Sequence, residues 1–186
     1  MDLDELRSRL GQHRPRVLAS PRQAAVAAVL RPSDGGAEVL LIKRAEHPND
    51  AWSGHMALPG GRRDPDDRDL LATALRETRE ELGLALGPSE LLGQLDDVPT
   101  HRAGLTVRPY VFAVEGEPPL QPNHEVAEAL WTPLGPLRRG ERDRVYRYEG
   151  EGGTLSFPAF DVDGRVVWGL TYRMLRSLFA LVPPAR

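Results

Sequence analysis

Glu77, Glu80 and Glu81 are packed into one short stretch, some way downstream of Pro59-Gly60-Gly61. On a helix turning about 100° per residue they fall within an arc of roughly 100°. Glu77 and Glu81 then form a like-charge i,i+4 pair, unfavourable by about 0.2–0.5 kcal/mol. A solvated helix face is the ordinary explanation, with Arg76 reaching Glu80 as partial compensation. The surroundings argue for more. The acidic face borders the apolar stripe of the same segment, and it lies at the C-terminal end, where the helix dipole disfavours negative charge. A divalent cation would remove both costs. Hard ions such as Mg2+ and Mn2+ take carboxylate and carbonyl oxygens, and the glycine turn would let a backbone carbonyl approach with no side chain in the way.

The elements that must position these residues follow from pattern. Leu70, Leu71, Ala74, Leu75, Thr78 and Leu82 form an apolar stripe, which predicts a helix from about Asp66 to Leu82, ended by Gly83. Upstream, residues 23–32 and 38–45 are apolar runs separated by the turn signal Ser33-Asp34-Gly35-Gly36, which predicts a hairpin. Residues 56–61 predict a short strand entering the glycine turn. Downstream, 91–99 and 105–115 alternate as strands do, and 124–134 suggests a brief helical turn followed by a strand. Asp163-Gly164 divides two β-rich runs in 155–170, a hairpin signal. A terminal amphipathic helix over 169–182 is closed by Pro183 and Pro184. At the start, Leu3, Leu6 and Leu10 stand at helical spacing. The arginine-rich segment from Arg138 to Arg147 reads as a solvated loop. Strands, a helix, more strands and a final helix describe one domain with a mixed sheet covered on both faces.

Composition narrows the function classes. With 186 residues and 40% apolar content the chain can bury a core of its own. No run approaches the roughly 18 apolar residues that span a bilayer, and the first residues lack the basic-then-apolar order of a secretory signal. There is no cysteine, which excludes disulfides, thiolate metal sites and cysteine nucleophiles, and points to the cytoplasm. A net charge of −3 offers no global attraction to nucleic acid. His55, His101 and His124 are too scattered in sequence for a histidine metal site.

The segment from Gly61 to Leu84 resembles the signature of the Nudix hydrolases, G-x5-E-x7-R-E-U-x-E-E-x-G-U, with U a bulky aliphatic residue. Arg76 to Leu84 match it except that Thr78 replaces the aliphatic residue. Gly61 to Arg76 is one residue longer than the pattern, and Asp67 stands where glutamate is usual. The resemblance implies an α/β fold, a Nudix-type α/β/α sandwich with a mixed sheet, spanning 21–186 behind an N-terminal helix and linker over 1–20. It implies hydrolysis of a nucleoside diphosphate linked to another group, with Mg2+ or Mn2+ as cofactor. Carried over, Glu77, Glu80, Glu81 and the carbonyl of Gly60 are the expected metal ligands. Glu81 and Glu77 are thereby catalytic, and Arg76 orients the glutamates through ion pairs. The general base of such enzymes often lies outside the signature; Glu125 is the candidate, with Glu128 second. For Glu125 a carboxylate in a helical turn after Asn123 is an equal reading.

Residues 40–61 further resemble the coenzyme A pyrophosphatase branch, through Leu40, Leu41, Arg44, Ala45, Gly54, Pro59, Gly60 and Gly61. Asn49 stands in place of an arginine and Leu58 in place of phenylalanine. Residues 95–100, 107–111 and 166–175 look like the same branch. Coenzyme A carries a 3′-phosphate, for which Arg44 is the best-placed cation, while Trp52 and His55 flank the signature loop as pocket candidates. The implied partner is a small-molecule nucleotide, with no nucleic acid and no membrane, and a homodimer is a candidate assembly. Two alternatives stay open: another substrate such as ADP-ribose, NADH, a dinucleoside polyphosphate or a nucleoside triphosphate, and a catalytically idle ligand-sensing module.

Overall fold

A computed structural model describes residues 1–47, 53–100, 104–150 and 153–182. In chain order the elements are α1 (Leu3–Gln12), β1 (Arg22–Ser33), β2 (Gly36–Arg44), β3 (Met56–Ala57), β4 (Gly60–Arg62), α2 (Leu70–Leu82), β5 (Leu91–Gln94) and β6 (Val98–Pro99). They continue as β7 (Leu105–Ala113), β8 (Val126–Pro133), α3 (Leu134–Arg138), β9 (Asp143–Gly150), β10 (Gly153–Val162), β11 (Arg165–Trp168) and α4 (Gly169–Leu181).

The main sheet is mixed. β1 runs antiparallel to β2 and β4 and parallel to β7, while β8 and β3 flank opposite edges of β2. The period of two along each strand sorts its side chains into two layers. Ala25, Ala27 and Val29 of β1, Leu40 and Ile42 of β2 and Phe112 of β7 pack under Leu70, Ala74 and Leu82 of α2. Ala28, Leu30, Val39, Leu41 and Val111 face Leu6 and Leu10 of α1 and Met174, Leu175 and Leu178 of α4. Helices therefore cover both faces, giving the three-layer α/β sandwich.

Several local differences from the sequence reading have physical reasons. α2 begins at Leu70, capped by the Asp69 carboxylate, and not near Asp66. The residues before it wind around another carboxylate, described below. The run 91–99 is broken into β5 and β6 because Asp96 and Asp97 leave the ladder to bind the N-terminal linker. The segment read as a solvated loop, Arg138 to Arg147, instead ends α3 and begins β9, which is paired residue for residue with β10. Its alternating charged and aromatic residues bury little, so strand pairing is what orders it. The turn at Asp163-Gly164 is present, with φ of 50° and 84°, the left-handed pair that a two-residue hairpin turn requires.

Candidate active site

Asp67 is the first fixed point. Its buried carboxylate accepts from the Asp64 N–H at 2.9 Å and from the Thr73 hydroxyl at 2.9 Å. Arg76 meets it with two bonds, Nε at 3.0 Å and Nη2 at 2.9 Å. Those bonds hold its pKa well below the usual aspartate value, with the Arg76 guanidinium as the largest cause. Asp67, at the position where the signature has glutamate, is thereby fixed to Arg76. Thr78, at the aliphatic signature position, is fully buried and returns its hydroxyl to the Ala74 carbonyl at 2.7 Å, which satisfies it inside the core.

From Asp67 the same guanidinium extends to Glu77 and Glu80, each 3.0 Å from Nη1, and Nη2 donates to the Arg62 carbonyl at 3.2 Å. Glu81 points the other way. It is 3% exposed and accepts the Gly60 N–H at 2.8 Å. Burial pushes its pKa up to about 7; the Gly60 N–H and Arg44 oppose the rise, while Glu77 and Glu125 add to it. Burial also raises Glu77, against Arg76 and with Glu80 and Glu125 contributing.

The glycine turn is bare for steric reasons. Gly60 has φ of 145°, and a Cβ there would collide with the Ala25 carbonyl and Val26 of β1. A Cβ on Gly61 would run into the Glu77 carboxylate. In the β1–β4 ladder Ala27 N–H bonds the Pro59 carbonyl and Arg63 N–H the Gln23 carbonyl. Gly60 lies between these positions, and its N–H turns away from β1 to the Glu81 carboxylate on α2.

Residues 121–125 strap the other flank. The Gln121 N–H caps the Leu82 carbonyl at 2.7 Å and the Asn123 N–H caps that of Glu81 at 2.8 Å, satisfying two carbonyls at the end of α2. The Asn123 side chain accepts the Glu125 N–H at 2.8 Å, and the Glu125 carbonyl accepts from Ala45. Glu125 is thereby brought to the electrostatic neighbourhood of Glu77 and Glu81. Glu128 is ion-paired with Arg165 at 2.6 Å.

Arg44 ends β2, close enough to Glu81 to favour its charged form. Its N–H bonds the His55 carbonyl at 3.1 Å, so it stands opposite the residue that leads into β3. His55 itself packs edge-on against Trp168, 5.3 Å between ring centroids. Trp52, Asn49 and His101 lie outside the described residues. Leu58 is buried among the residues facing α1 and α4, so its replacement of phenylalanine is a matter of core packing. In the arginine-rich segment, Arg139, Arg142 and Arg144 are each ion-paired, with Glu141, Asp163 and Asp161.

The donor set fits a divalent ion in chemistry and in charge: carboxylate oxygens beside a bare glycine turn, with Arg76 already shared among Asp67, Glu77 and Glu80. Among the described residues no three acidic or imidazole groups already close into an ion cage; Glu77 and Glu80 turn to Arg76 instead. The sequence reading did not connect Tyr146, Tyr148 and Phe157 with His55, although aromatic alternation in β9 was visible.

The fold is a mixed sheet layered between helices. The MutT/nudix family protein from Enterococcus faecalis shares it, with a TM-score of 0.61 and 19% identity over 98% of this chain and 70% of that one. The NUDIX domain model matches residues 21–148, and the chain belongs to the Nudix family; it is a Nudix hydrolase of the pyrophosphohydrolase class. The chain is 35% identical to the mitochondrial coenzyme A diphosphatase NUDT8 of Homo sapiens, over 91% of this chain and 73% of that protein. It is 34% identical to the Mus musculus protein of the same name, over 97% and 89%. No described helix is long and apolar enough to cross a membrane.

Proposed function

We propose that this enzyme is a Mg2+- or Mn2+-dependent pyrophosphohydrolase that cleaves coenzyme A or its thioesters to 3′,5′-ADP and a 4′-phosphopantetheine product. The observation that carries the reading is the carboxylate surplus at the end of α2, with Glu81 buried on the Gly60 N–H beside Glu77 and Glu125. Similarity to proteins named as coenzyme A diphosphatases supports the substrate. Glu77, Glu80, Glu81 and the Gly60 carbonyl would hold the ion. When bound, such an ion neutralises the diphosphate and lowers the pKa of the attacking water. Arg76 orients Glu77 and Glu80 and does not touch substrate. Glu125, exposed at the mouth of the site, accepts the proton of the water that attacks phosphorus. Arg44 engages the 3′-phosphate, with His55 and Trp52 beside the substrate path. A cytoplasmic location is proposed from the cysteine-free composition.

Chromatography of the products formed from coenzyme A, dephospho-coenzyme A, ADP-ribose, NADH, diadenosine polyphosphates and nucleoside triphosphates tests the reading, with Glu81→Gln as blank. Preferential release of 3′,5′-ADP from coenzyme A is expected, and preference for another compound overturns the substrate assignment. Arg44→Ala should raise KM about tenfold for coenzyme A and less for dephospho-coenzyme A, since a phosphate contact is charge-assisted. Equal effects on both would remove Arg44 from the 3′-phosphate.

A further inference from the structure

We infer that the aromatic face of the β9–β11 sheet is a stacking subsite for the purine ring of the substrate. The inference rests on the reading that the substrate carries a nucleoside diphosphate. Trp168 is the centre of this face, with Tyr146 at 4.6 Å, Phe157 at 5.2 Å and Tyr148 at 5.8 Å between centroids. Tyr148 lies nearly parallel to the indole, at 28°. Register places these rings together: Phe157 pairs with Tyr146 and Leu155 with Tyr148, and residues two apart on a strand share a face. The face does not stop at the core. Tyr148 is 37% exposed and Leu155 56%.

Its position relative to the carboxylates is what suggests an occupant. β8, β2 and β3 lie side by side, and the Glu125 carbonyl, the Arg44 N–H and the His55 carbonyl are joined across them near Ala45. Arg44 and His55 share the sheet face of Ile42 and Ala57, the face under α2. A line therefore runs from Glu81 and Glu125 through Arg44 to His55 and on to Trp168. Strands are about 4.8 Å apart, so the line spans two strand spacings and one ring contact. That is comparable with the reach from the diphosphate of a nucleotide to its base. Aromatic side chains accept any planar base on their faces, and an exposed apolar patch rimmed by charge marks a binding surface.

Calorimetric titration with α,β-methylene adenosine diphosphate and with methylene diphosphonate, both non-hydrolysable, in Mg2+ tests the subsite. The wild-type chain is expected to bind the nucleotide at least about tenfold more tightly than the diphosphonate. Tyr148→Leu should lose most of that advantage while diphosphonate affinity is unchanged, and Tyr148→Phe should keep it. Tyr146→Leu serves as a second variant, with near-ultraviolet circular dichroism to check the fold. An unchanged advantage in both leucine variants overturns the subsite. So does a fall in sedimenting mass without a change in nucleotide affinity, which would make this face a contact between copies. Equal wild-type affinity for the two compounds removes the subsite alone, whereas binding of neither removes the nucleoside diphosphate substrate reading as well.

Discussion

Two acidic groups, one at the end of α2 and one at the corner between β5 and β6, are compensated differently. At the corner, Asp97 is 2% exposed and meets Arg108 with two bonds, at 2.7 and 2.9 Å, while accepting the Leu18 N–H at 2.8 Å. Asp96 accepts the Arg16 N–H and faces His13, both at 3.0 Å. Each carboxylate has its own donors, and together they tie the linker between α1 and β1 to the sheet. At α2, Arg76 is divided among Asp67, Glu77 and Glu80, and Glu81 is buried on one backbone N–H with Glu77 and Glu125 nearby. Burial without full pairing is costly. A fold keeps such a deficit where the charge has work to do, so the unbalanced group is the candidate for chemistry and the balanced one for structure.

The contrast is broken most directly by Glu81→Gln. Turnover should fall by about 10²–10⁴, with the melting temperature held or raised, because a strained buried charge is removed; full activity in Mg2+ would mean the ion lies elsewhere. Asp97→Ala should do the reverse. Leaving the half-buried Arg108 without its carboxylate, and the Leu18 N–H without its acceptor, should cost about 1–3 kcal/mol, read as a lower denaturant midpoint, with kcat of the folded fraction unchanged. A loss of kcat at constant stability would put the corner in the reaction.

Asp67 sharpens the comparison through acid. Its pKa is depressed by Arg76, the Asp64 N–H and Thr73, so its contribution is fully present above the ordinary aspartate value. It is lost as pH falls below that value toward the native one, because the unfolded chain then binds the proton first. Asp67→Asn should flatten this acid limb of the stability profile measured by denaturant titration; an unchanged limb would assign it to other carboxylates. The smallest effect belongs to His13→Ala. Its contact with Asp96 is partly exposed, so the loss should be about 0.5–1 kcal/mol, a shift of a few degrees in melting temperature. A larger loss would show that the linker clamp depends on the imidazole.

Much of the active end was legible before any coordinates. Arg76, Glu77, Glu80 and Glu81 are local in sequence, and helical spacing alone puts them on one face. The glycine turn was legible for a similar reason, since backbone that must pass close to other backbone excludes a Cβ. The hairpin at Asp163-Gly164 followed from turn chemistry. What failed was mostly non-local: the start of α2 depends on Asp67 being claimed by Arg76 nine residues on, and β9 becomes a strand only because β10 is there to pair with it.

Short-range periodicity and spacing were enough for the mixed sheet covered on both faces and for the acidic helix end, while the family and its three-layer sandwich followed from the resemblance of residues 61–84 to a known signature. Only the tertiary structure decided that Glu81 turns to Gly60, that residues 121–125 carry Glu125 to the same place, and that Glu128 is taken by Arg165. It alone joined His55 to Trp168 and the aromatic ribbon. Those are meetings of distant segments, set by strand register and by which donors remain once the backbone has satisfied its own hydrogen bonds.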